Sequence, residues 1–141
     1  MKGGGSRTNA SLLSWFGNGL IPVAPGANLG RDSQAILNGA PNAARPGTFY
    51  PCTAPGFVRR LFIHTDLPVG AGVDVNFVVY KNEVATSIVV NIAGAAETND
   101  SDLTNVVEVA TGDRLHLHAD RGAGVPPNLA ISAVLEFVRR N

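Results

Sequence analysis

VDVNFVVYKNEVATSIVVNI, residues 73–92, decides the fold class. Val73, Val75, Phe77 and Val79 fall on one side of an extended chain. Val84, Thr86, Ile88, Val90 and Ile92 do the same after Lys81-Asn82-Glu83. Side chains two apart share a strand face, so this alternation of β-branched and aromatic residues predicts two half-buried strands joined by a tight turn.

Strand signals recur on both sides of the hairpin. Thr48–Cys52 is a short extended piece ended by Pro55-Gly56, and Phe57–Thr65 is a strand ended by Pro68 and Gly70-Ala71-Gly72. Gly94–Asp102 reads as a polar loop, Leu103–Val109 and Asp113–Ala119 as strands around Thr111-Gly112, and Leu129–Val138 as the last strand. About eight short strands, counting Leu20–Val23, with no amphipathic helix between them, predict an all-β antiparallel sandwich of jelly-roll type.

Residues 1–46 differ in composition. They hold Gly3-Gly4-Gly5, Pro22, Pro25, Pro41 and Pro46, and they lack the apolar surface to fold alone. The expected organisation is an extended N-terminal arm over 1–46 and a jelly-roll domain over 47–141. Leu12, Leu13, Trp15 and Phe16 are the expected anchors of that arm on a partner, because large side chains supply most contact energy at interfaces.

The 141 residues suffice for a core without metal or disulfide staples. Formal net charge is zero and charged residues make up only 16% of the chain, against 45% apolar. Nucleic acid is thereby disfavoured as a partner, since binding it needs a basic surface. Sparse charge also suggests a surface covered by neighbours. Cys52 is the only cysteine, so no intrachain disulfide forms. No apolar run approaches the ~20 residues of a membrane span or the ~7–15 of a signal peptide, so synthesis in the cytoplasm is expected.

Both faces of several strands are apolar. Val78, Tyr80, Val89, Val106 and Val134 lie opposite the inward sets of their strands, where a sandwich bathed in water is polar. They are the expected interface between copies of the chain.

Candidate chemistry is thin. His116 and His118 share one strand face and are candidate metal ligands, but a polar outer face explains them as well. Glu97, Asp100 and Asp102 lack the fixed spacing of a calcium loop. Gly70-Ala71-Gly72 lacks the Lys and helix of a phosphate loop, and no nucleophile or metalloprotease motif is present. Arg59, Arg60, Arg139 and Arg140 read as solubilising rim charges. No catalytic residue, cofactor or metal is expected.

The run Gly56-Phe57-Val58-Arg59-Arg60-Leu61-Phe62-Ile63, then Pro68–Gly72, Val75–Asn82, Val89–Gly94, Asn99-Asp100-Ser101, Val106–Ala110 and Gly112-Asp113-Arg114-Leu115, closing in Leu135-Glu136-Phe137, resembles a module of tailed-bacteriophage structural proteins. That module is similar to the tumour necrosis factor and complement globular-head jelly roll. Phe16–Val23 looks like the leading strand often found upstream of it. The resemblance implies a homotrimer and a non-enzymatic virion structural protein, made in the host cytoplasm and assembled on the particle. A capsid decoration protein bound to the major capsid protein or another virion protein is the expected role. A fibre or tail-tip module binding a host glycan is the alternative.

Overall fold

The hairpin expected over 73–92 forms around Asn82 and Glu83. Their φ values of 51° and 69° make the left-handed pair that a two-residue turn between twisted antiparallel strands requires. The structure, a computed structural model, describes residues 10–19, 21, 27–31, 37–38 and 49–140. Its strands are β1 (Ala10–Gly19), β2 (Ala27–Arg31), β3 (Leu37–Asn38), β4 (Phe49–Pro51), β5 (Gly56–Thr65), β6 (Gly70–Lys81), β7 (Val84–Gly94), β8 (Asn99–Val109), β9 (Arg114–Arg121) and β10 (Leu129–Arg139). Among the described residues there is no helix.

Two antiparallel sheets face each other. Sheet A runs β1-β10-β5-β8 and sheet B runs β7-β6-β9-β2, with β4 on another stretch of β9 and β3 on β2. Among the described residues a single bridge, Trp15 opposite Arg31, joins the two. Neighbours far apart in sequence alternate between the sheets, which is the jelly-roll order. The expected all-β sandwich is therefore the fold of this chain.

The inward sets meet in one core. Trp15, Val58, Leu61, Ile63, Ile131, Ala133 and Leu135 come from sheet A, and Val75, Phe77, Val79, Ile88, Val90, Ile92, Leu115 and Leu117 from sheet B. Val84 departs from the expected alternation and is exposed. Val84 sits at the strand end beside the turn, and the register shift beyond Val78 inserts two extra residues on β7, which keeps its inward set in phase. There the Thr86 hydroxyl donates to the Val79 carbonyl at 2.6 Å and accepts from the Ile88 N–H at 3.3 Å.

Two expectations about boundaries are corrected. β1 pairs with β10 over its whole length, from Ala10 opposite Val138 to Gly19 opposite Leu129. Residues 10–19 are thus a strand of the sandwich, and position 46 does not divide arm from domain. Of the expected leading strand at Phe16–Val23, Phe16–Gly19 lie in β1 and Ile21 is buried outside a strand, while Leu20, Pro22 and Val23 lie outside the described residues. Second, β8 starts at Asn99, so half of the expected polar loop is strand.

Candidate functional site

The five residues expected at one interface lie on two opposite faces. Val78 and Tyr80 on β6 and Val89 on β7 point outward from sheet B, whereas Val106 on β8 and Val134 on β10 point outward from sheet A. One flat interface cannot hold all five, and the two faces differ in character.

The outer face of sheet A mixes exposed apolar side chains with serines and paired charges. Registers place Ser14, Val134, Phe62 and Ser101 in one row across its four strands, and Leu12, Glu136, Arg59 and Val106 in the next. Leu12 is 69% exposed, Phe62 49%, Leu103 60% and Val106 53%. Together they offer on the order of 400 Å² of apolar surface, the size of the largest patch on a typical monomer, which is often functional. Paired charges flank them. Glu136 binds Arg59 at 2.6 Å and lies 3.8 Å from Arg60, and Arg140 meets Glu108 at 3.2 Å. The arginines read as free rim charges are therefore partly spent on carboxylates of the same face.

Phe62 and Leu103 were not expected here. Arg60 sits at φ 58° in a bulge of β5, so Leu61 and Ile63 turn inward and Phe62 outward. The expected anchors divide as well. Trp15 is fully buried, edge-on to Tyr50 with ring centroids 5.2 Å apart, and Leu13 packs against the core. Trp15 is not available to a partner, and Leu13 is partly buried; Leu12 is exposed and Phe16 half-buried.

On sheet B the outer face begins with His116 and His118. Both are buried rather than solvated, a correction to the expected polar face. Tyr80 stacks on His116 with centroids 5.0 Å apart and meets His118 edge-on at 5.3 Å. Burial, and then the nearby Asp120, push the Tyr80 phenol up. Among the described residues no three His, Cys, Asp or Glu side chains come together as metal ligands. Farther along the face a polar ladder crosses from β6 to β7: the Asn91 amide donates to Asp74 at 3.0 Å and to Asn76 at 2.8 Å. The Ala123 N–H, and then Asn91, hold the Asp74 carboxyl below its ordinary value.

The acidic residues read as a possible calcium loop act separately. Glu97 accepts from the Ala93 N–H and Asp100 from the Ser101 N–H. Asp102 is buried where β7 and β8, the end strands of the two sheets among the described residues, approach. Its carboxylate accepts from the Val89 N–H at 3.2 Å, the Thr104 N–H at 3.0 Å, the Asn105 N–H at 3.1 Å and the Asn105 amide at 2.8 Å. Burial alone would push this acid up, but those four donors hold it at about 2. Asp102 thus ties one sheet to the other.

The opposite seam, between β1 and β4, holds a pocket of about 130 Å³ lined by Ser11, Leu13, Tyr50, Pro51, Cys52, Thr53 and Phe137. Burial first, and the charge of Asp113 second, push the Cys52 thiol up to about 11, which favours the protonated thiol at neutral pH.

No family model and no curated protein matches the chain. Among solved structures it is similar to the globular domain of zebrafish complement 1qA protein, with 13% identity, 96% of this chain and 100% of that one covered, and a TM-score of 0.49. It is also similar to the crystal structure of FLHE, with 12% identity, 94% and 99% covered, and a TM-score of 0.45. The jelly-roll assignment stands on the strand order of the two sheets.

Proposed function

We propose that the chain is a non-enzymatic virion structural protein, a homotrimeric capsid decoration protein that binds and stabilises a phage head. The observation that carries the assembly part is the outer face of sheet A, where Leu12, Phe62, Leu103 and Val106 stand exposed between ion pairs of both signs. Exposed apolar side chains in that setting suit burial against other copies of the chain. The virion role rests on the resemblance of the strand and turn pattern from Gly56 to Phe137. The major capsid protein or another virion protein is the partner, and binding favours the assembled shell by mass action. Trp15 is fully buried in the core, so of the four expected anchors Leu12, Phe16 and the exposed part of Leu13 remain for contacts outside it.

Sedimentation of the purified protein, alone and with phage heads, tests this reading. The wild type sediments as a trimer and travels with heads; Phe62→Glu stays folded, as a monomer. A wild type that is monomeric at micromolar concentration sinks the assembly, and one that ignores heads sinks the decoration role. The second reading, a trimeric fibre or tail-tip module binding a host glycan, is favoured by the Asp74–Asn91–Asn76 ladder, whose amide and carboxylate groups suit sugar hydroxyls. Copy number separates them: hundreds per particle for decoration, a few for a fibre.

A further inference from the structure

The two ends of the sandwich differ in chemistry. At one end three connections meet: 66–69 between β5 and β6, 95–98 between β7 and β8, and 122–128 between β9 and β10. Backbone bonds pin them. The Thr65 N–H donates to the Thr98 carbonyl at 2.7 Å, the Asp66 N–H to the Ala130 carbonyl at 3.0 Å and the Asp74 N–H to the Ala123 carbonyl at 3.2 Å. What this end presents is small and apolar. Val125 is 66% exposed and Leu67 46%, and Ala71, Ala95, Ala123 and Pro127 are exposed with them. The three connections carry two charges, Asp66 and Glu97. Each carboxylate already accepts a backbone N–H of this chain, from Ala130 at 2.8 Å and from Ala93 at 2.9 Å. Arg121, the last residue of β9, has its Nε buried. Residues 20–26, whose neighbours Gly19 and Ala27 pair at this end with Leu129 and Ala119, contain no charged residue. The opposite end is ionic. Around the turn at Asn82-Glu83, Arg114 meets Glu83 at 3.3 Å, Arg140 meets Glu108 at 3.2 Å, and the Lys81 ammonium donates to the Glu108 carbonyl at 3.2 Å. Val84 is the large exposed aliphatic residue beside that turn.

We propose that the end bearing Leu67 and Val125 is the surface that lands on the phage head, with the ionic end turned to solvent. The inference rests on the decoration reading above and adds to it which way the protein stands. Contact at the ionic end strips water from charges, which is costly. Contact at the other end buries aliphatic groups, alanines and a proline, which lose little side-chain freedom. Its connections are already held in place, so little order has to be imposed on binding. The occupant is a protein surface of the shell, not a sugar: the three connections hold no aromatic ring and one amide side chain, Asn128. An interface on the outer face of sheet A leaves both ends of every copy outside it. Threefold rotation keeps the same end of each copy at one level along the axis. Three tips then meet one surface together, and contacts weak singly add to firm binding.

The test compares Val125→Asp and Leu67→Glu with Val84→Asp, the same kind of change at the ionic end. All three positions are exposed, so each variant is expected to keep the wild-type melt and to sediment as a trimer. Co-sedimentation with heads purified without this protein is the readout. Val125→Asp and Leu67→Glu are expected to bind at least roughly a hundredfold more weakly, since each sets an unpaired charge into the contact three times over. Val84→Asp is expected to bind like the wild type. Wild-type binding by Val125→Asp and Leu67→Glu, or loss of binding in Val84→Asp alone, overturns the landing surface and leaves decoration standing. A Val125→Asp or Leu67→Glu protein that falls to folded monomers puts that residue in the trimer contact and overturns it too. So does a Val125→Asp trimer that still binds heads but no longer adheres to host cells, which makes the occupant a host surface. A wild type that ignores heads overturns the decoration reading itself, and this proposal with it.

Discussion

Replacing Asp102 with alanine removes the tie between β7 and β8, and its cost follows from the acid's own titration. The carboxyl titrates at about 2 in the fold, against ~3.9 in an unfolded chain. Each unit of that gap is ~1.4 kcal/mol, so the ionised group contributes about 2–3 kcal/mol. The folded value is depressed, so this contribution is complete above about pH 4 and is lost as pH falls from there to about 2. Without the carboxylate, the Thr104 and Asn105 N–H groups at the bulge reach water, but the Val89 N–H faces the junction of two sheets. Asp102→Ala is therefore expected to lose about 3 kcal/mol at neutral pH. Urea unfolding followed by fluorescence of Trp15, the sole tryptophan, measures it. With a slope of ~1–3 kcal/mol per molar, the midpoint drops by roughly 1–3 M. The gap between variant and wild type narrows toward pH 2, because the wild type loses its carboxylate there too. Other depressed acids, Asp74 and Asp113, titrate in both proteins and cancel. A loss below about 1 kcal/mol at pH 7, or a gap of the same size at pH 2, would refute the clamp.

Trp15→Ala opens a cavity in the core and is expected to cost about 3–5 kcal/mol, read from thermal melts; a tryptophan anchored on a partner would cost nothing in the isolated chain. Removing residues 1–20 deletes β1 and is expected to abolish cooperative unfolding, where loss of a detachable arm would leave the melt intact. Native Cys52 is expected to react with iodoacetamide at pH 8 about a hundredfold more slowly than in urea, since its thiolate is scarce. Arg60→Gly relieves a left-handed residue at φ 58° and is expected to raise stability by about 0.5–1 kcal/mol in the same melts, provided the pairing to Glu136 at 3.8 Å is as weak as its exposure implies.

The hairpin was legible because its evidence is local: alternation on both arms and Asn82 at the turn. β1 was not, because its ladder partner is the last strand of the chain and its own neighbourhood is rich in Gly and Pro. Period two tells which residues of one strand share a face. It does not tell which sheet the strand joins, so Val78, Tyr80 and Val89 looked equivalent to Val106 and Val134. The outward phase of His116 and His118 was readable, yet their burial depends on packing from elsewhere in the chain, as with Tyr80. Phe62 was hidden by Arg60, whose bulge shifts the alternation by one residue. Asp102 looked like loop acid because nothing in its spacing announces the Val89 amide across the edge.

The pairing of β1 with β10 also bears on how the protein is made. Ala10 waits for Val138 and Gly19 for Leu129. At ~5–20 residues per second a ribosome needs roughly 6–25 s to cover that distance. Through that interval Trp15 has no sheet to enter, and the nascent chain trails an apolar strand it cannot bury. Folding of this sandwich is thus essentially post-translational. A message broken anywhere before the codons of β10 yields a chain with an orphaned strand at its front, the kind of product that chaperones and proteases remove first.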